Sequence, residues 1–155
     1  MSKRRLMKAL HLAVIVESKV SDGNVREQTN KLKFPFSIKE DVIEYEKLLQ
    51  INSNDREKLK IMYCSIGGND GRSHLRRILS KMLTNKLAID CSWTGRAFEK
   101  DLTKFKVKNL QIISIIRGVI QNKYQLSDSV FEMDDQSWFR TAKTRYDREN
   151  AAKNP

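Results

Sequence analysis

The chain has 155 residues, enough for one compact domain and a short arm. It carries 30 Lys and Arg against 19 Asp and Glu, a formal net charge of +11, while two prolines and six glycines leave room for long helices. With two cysteines, no C-x-x-C and no apolar run near the roughly 18 residues of a bilayer span, the composition speaks against a zinc module and a membrane protein.

The charge is concentrated. Residues 67–123 hold twelve Lys and Arg against four Asp and Glu, and residues 1–33 hold eight against three. Residues 34–66 and 124–155 each hold five against six. A local positive field of this kind attracts phosphate, so the expected partner is duplex DNA or another polyanion.

Residues 6–17 form a short apolar arm. Leu6, Leu10, Ala13 and Val14 fit one helical face, whereas His11 to Val16 fits a strand equally well. Lys3-Arg4-Arg5 before it resembles a secretory signal only superficially, since the apolar stretch is short and has no small-residue cleavage site. Residues 18–33 read as a polar linker.

Phe34-Pro35-Phe36 opens the main domain. Ser37 with Glu40 has the spacing of a capping box, followed by an apolar face of Ile38, Val42, Tyr45, Leu48 and Leu49. Glu40, Asp41, Glu44 and Glu46 fall on the wet side. Asn54 with Glu57 predicts a second box and a shorter helix that turns Leu59, Met62 and Tyr63 inward. Gly67 to Gly71 reads as a turn; it lacks the Lys-Ser/Thr that a phosphate cradle requires.

Residues 72–89 show the clearest amphipathic pattern, with Leu75, Ile78, Leu79, Met82, Leu83 and Leu87 inward. Arg72, Arg76, Arg77, Lys81 and Lys86 form the opposite, basic face. Cys91 to Arg96 reads as a loop and Lys100 to Lys108 as a basic connector bearing Lys104, Lys106 and Lys108. Residues 109–123 predict a buried helix, with a strand as the alternative. A polar stretch, 124–134, leads to a last helix over 135–149 with Trp138, Ala142 and Tyr146 inward.

For catalysis the chain offers little. His11 and His74 are single, and no G-x-S-x-G, H-E-x-x-H or P-loop occurs, so no enzyme, cofactor or metal is expected. Cys64 and Cys91 read as two buried free thiols in a reducing compartment, with a single disulfide as the alternative. The Arg72–Lys86 face can straddle duplex phosphates, Arg96, Lys104, Lys106 and Lys108 supply a second strip, and Arg140, Lys143 and Thr144 form a base-reading surface. Trp93 and Trp138 are expected in the core.

Ser65-Ile66-Gly67-Gly68, the run Leu75 to Ala88, Ser92-Trp93-Thr94-Gly95-Arg96 and Trp138-Phe139-Arg140-Thr141-Ala142 together resemble an arthropod domain family of unknown function. The resemblance covers residues 34–148. More distantly, the same order resembles BEN domains, helical modules of nuclear factors, several of which bind DNA. That resemblance implies a mainly α, compact five-helix domain over residues 34–149. An arm of residues 1–33 would precede it and a disordered tail, 150–155, would follow. It also implies a nuclear location (the cytoplasm being the alternative) and DNA contact through the loop and the last helix. The rival expectation is a protein-interaction or homodimerising module. If residues 6–16 support assembly, deleting residues 1–33 should change the mass seen by light scattering or lower the melting temperature. Unchanged values for both would make the segment a passive tail.

Overall fold

The computed structural model describes residues 33–97 and 103–154, and 71% of them are helical. The chain divides into two units, residues 1–33 and 34–155. Apart from Lys33, the expected arm lies outside the described residues, as does Lys100. The fold is mainly α, as expected, but with seven helices among the described residues rather than five.

The first two helices are α1 (Lys39–Ile51) and α2 (Ser53–Ile66). Neither expected capping box forms. Ile38 caps α1 without a side-chain bond, so Ser37 caps nothing. At α2 the cap is Asn52, whose Oδ1 accepts from Asn54 N at 3.0 Å and Asp55 N at 3.3 Å. Asx side chains reach donors two and three residues ahead, so a cap two residues early serves as well.

The stretch expected as one helix over 72–89 is two: α3 (Gly71–Met82) and α4 (Asn85–Ile89). Asp70 and Ser73 make a reciprocal capping box at the start of α3. The break has a tertiary cause. Phe36 N donates to Met82 O at 2.8 Å and Thr84 N to Phe36 O at 3.0 Å, which pulls Leu83 into an extended conformation. Thr84 Oγ1 then restarts the helix by accepting from Leu87 N.

Nor are the described residues within 91–108 a free loop and connector. β1 (Cys91–Ser92) pairs in parallel with β2 (Phe105–Lys106), with Cys91 opposite Phe105 and Ser92 opposite Lys106. An antiparallel bridge joins Arg96 to Thr103. Gly95, at φ +84°, lies just before that bridge, and an added Cβ would sit 3.3 Å from Lys104 O.

The isoleucine-rich segment is the helix α5 (Gln111–Tyr124), which buries Ile112, Ile113, Ile116, Val119 and Ile120. The strand alternative fails. The last expected helix is again two, α6 (Asp128–Arg140) and α7 (Ala142–Lys153). Ser127 caps α6 within the stretch read as polar. The expected disordered tail is partly ordered, because α7 runs to Lys153. Trp138 and Ala142 are buried as expected, whereas Tyr146 is only half-buried.

Two buried polar side chains organise this core. Glu46, expected on the wet side, is buried; its Oε2 accepts from Gln111 N at 2.7 Å and its Oε1 from Ile112 N at 2.8 Å. The carboxylate thus caps the positive end of α5, which has no side-chain cap of its own. His74 is fully buried, with Nε2 2.8 Å from Tyr63 O and Nδ1 3.1 Å from Tyr124 Oη, which itself donates to Gly68 O at 3.1 Å. That chain of bonds ties α2, the Gly68 turn, α3 and α5 together.

Both features predict stability losses. Glu46→Ala should lower the unfolding free energy by about 2–4 kcal/mol, the loss of two charge-assisted bonds at a helix start. Gly68→Ala should cost about 1–3 kcal/mol, since its Cβ would meet His74 N at 2.5 Å. Urea denaturation measures both, and wild-type midpoints would refute the two assignments.

Candidate nucleic-acid interface

The expected Arg72–Lys86 stripe does not run along one line. At roughly 100° per residue, Arg72 and Arg76 lie within about 40° of each other, whereas Arg77 and Lys81 lie about 100–140° beyond Arg76. All four are exposed, spread across the whole solvent arc of α3. Arg72 Nε lies 3.5 Å from Asp134 Oδ1, so part of its charge is already answered. Lys86 stands on the separate helix α4, exposed.

The second strip is gathered more closely. The pairing of β1 with β2 and the bridge at Arg96 bring Arg96 and Lys104 beside the last turn of α6. There Arg140 completes a cleft of about 420 Å³. Gln136, Trp93 and Phe139 also line it, and no described lining residue is acidic. Arg140 Nη2 donates to Gln136 Oε1 at 3.1 Å, which aims the guanidinium along the helix. Lys106 and Lys108 are exposed; Lys108 borders a different hollow, with Arg117.

The expected reading surface is divided. Arg140 ends α6, whereas Lys143 and Thr144 belong to α7. Lys143 Nζ lies 2.9 Å from Asp147 Oδ2, an exposed pair on its own helix. Thr144 lines another pocket, of about 370 Å³, together with Arg76, Arg145 and Arg148. On α6, Trp138 of this pocket and Arg140 of the cleft are separated by two residues, about 200° of helix, and so face opposite ways.

Sequence reasoning passed over Arg145 and Arg148. A signal was present: Thr141, Thr144, Arg145 and Arg148 follow the spacing of one helical face. Arg145 lies 4.0 Å from the Trp138 ring centroid, and its Nη1 donates to Trp138 O at 2.6 Å and to Thr141 Oγ1 at 2.7 Å. Its Nε donates to Asn85 Oδ1 at 2.9 Å. Burial and the nearby Arg76 guanidinium hold its pKa below the usual arginine value.

Trp93 and Trp138 are buried, so neither offers a free stacking face. Cys91 is buried, and burial pushes its thiol up to about 12. Cys64 is exposed, contrary to expectation, because it faces the groove between α2 and α5. Among the described residues no group of three or more His, Cys, Asp or Glu is placed to hold a metal ion. No described helix is long and apolar enough to cross a membrane. No family model, curated protein or solved structure matches this chain.

On the buried face of α6, Asp135 is fully buried and neither carboxylate oxygen has a hydrogen-bond partner. Burial pushes its pKa up to about 7, against the pull of Arg117. A carboxyl that holds its proton longer when folded makes stability fall as pH rises, here from about 4 to about 7. Asp135→Asn removes the ionisation and should flatten that limb, worth on the order of 4 kcal/mol by pH 8. A melting profile over pH 4–8 unchanged in the variant would show that Asp135 does not cause the decline.

Proposed function

We propose that this chain is a non-enzymatic nuclear domain that binds duplex DNA or chromatin through the basic cleft at Arg96, Lys104 and Arg140. The observation that carries the reading is the convergence of these three cations, from two loop segments and a helix end, around a cleft whose described lining has no acid. Guanidinium and ammonium groups so placed neutralise neighbouring phosphates, and Arg140, held by Gln136, has the reach to contact guanine in a groove. Arg77, Lys81, Lys86, Lys106 and Lys108 add exposed charge that draws the duplex in without fixing its register. A BEN-like architecture belongs to the same proposal and rests on the order of motifs described above.

A second reading, a protein-interaction or self-association module, draws on the groove of about 780 Å³ between α2 and α5. Ile115 and Val119 line it, and Ile61 beside it is 67% exposed. Salt separates the two readings, because duplex binding releases counterions and an apolar interface does not.

In fluorescence anisotropy at about 50 mM salt, wild-type protein should bind duplex with micromolar or tighter affinity. The triple change Arg96→Glu, Lys104→Glu and Arg140→Glu should reduce affinity at least a hundredfold. A neutral triple to Gln should reduce the log-affinity against log-salt slope by about 2.7, or about 0.9 per lost phosphate. Arg72→Gln and Lys143→Gln, which remove cations already in ion pairs, should have little effect. Absence of duplex binding by folded wild-type protein sinks the reading.

A further inference from the structure

Arg76 from α3 and Arg145 and Arg148 from α7 meet at one pocket of about 370 Å³, with the hydroxyl-bearing Ser80, Thr141 and Thr144 around them. We propose that this pocket is an oxyanion site that seats a single phosphate group. It lies on the far side of α6 from the Arg96 cleft, and its case stands independently of the duplex reading.

Like charges are gathered here, and no described residue lining the pocket is acidic. None of the three arginines makes a salt bridge among the described residues, although Arg72, Arg117, Lys143 and Lys153 all do. The nearby carboxylate, Glu149, is held instead by Asn85 Nδ2 at 3.0 Å and Lys153 Nζ at 3.2 Å, and it does not line the pocket. Arg145 is locked in place by Trp138, Asn85 and Thr141, yet its Nη2 is buried with no hydrogen-bond partner. A buried guanidinium donor without an acceptor, beside a second guanidinium, is costly unless an anion supplies both lone pairs and charge.

The pocket also adjoins the first turn of α7, a twelve-residue helix whose cap, Thr141, makes no side-chain bond to that turn. Helix starts favour anions because their first N–H groups lack intrahelical acceptors. Phosphate satisfies these demands at once, since its oxygens match the fork of a guanidinium and accept from hydroxyls. The volume exceeds that of inorganic phosphate several-fold, so the group can carry a substituent. A nucleic-acid backbone phosphate and a small free phosphate share this chemistry, and the experiment separates them.

Calorimetry and thermal melting would compare inorganic phosphate with chloride at matched ionic strength. The proteins would be the wild-type chain and the double variant Arg76→Gln, Arg148→Gln, with Arg145 kept because it packs against the core. Wild-type protein should melt higher in phosphate, and the double variant should bind phosphate at least tenfold more weakly. In the duplex arm, a fall of about 0.9 in the salt slope of the double variant, the loss of one phosphate contact, assigns the pocket to a backbone phosphate. An unchanged slope, with phosphate binding lost in the variant, assigns it to a small phosphate. Phosphate acting no differently from chloride, with an unchanged slope, overturns the proposal, as does equal phosphate binding by variant and wild type. If no duplex binds at all, the reading of the Arg96 cleft fails while the calorimetric arm still decides this pocket.

Discussion

The carboxylate of Glu46 meets the first two free N–H groups of α5 across 65 and 66 residues of sequence, and much of the domain depends on that contact. α5 buries five apolar residues and has no local side-chain cap. Without an acceptor at its start, its burial would strand backbone donors away from water. Burial disfavours the Glu46 charge and raises its pKa, while the two N–H bonds oppose that shift. With α5 fixed in this way, His74 and Tyr124 lock its other end to α2, α3 and the Gly68 turn.

On this framework the basic residues are sorted by which side of α6 they meet. The short parallel pairing of β1 and β2 carries Arg96 and Lys104 to Arg140. Beyond the break at Thr141, α7 brings Arg145 and Arg148 to the same pocket as Arg76. The two basic sites therefore follow from how separate segments of the chain meet, and neither is a property of a single helix.

Several features were legible because they are local. The seven-residue rhythm of Leu75, Ile78, Leu79 and Met82 marks α3, and the isoleucines of α5 mark a buried helix; both are periodicities that burial alone imposes. Asp135 shows the opposite case. With Phe131, Trp138 and Phe139 it completes the buried face of α6, but an acid does not register as a core position in an apolar pattern; the first half of α6, which has Phe131 as its one buried hydrophobic residue, reads as a polar stretch. The caps at Asn52 and Asp70 were missed for a different reason, since several polar residues near each start had plausible spacing.

By itself the sequence determined a mainly helical domain, a positive field centred on residues 67–123 and the inward faces of α3 and α5. These follow from composition and from side-chain period, which act over a few residues. Tertiary structure alone decided where helices break, because Leu83 is held extended by Phe36 and Thr141 redirects the chain at the end of α6. It also decided which cations are answered by acids, as Arg72 is by Asp134, and which are left facing one another, as Arg76 and Arg145 are. Charge pairing depends on distance in space, and the residues that set those distances lie up to 69 positions apart in the chain.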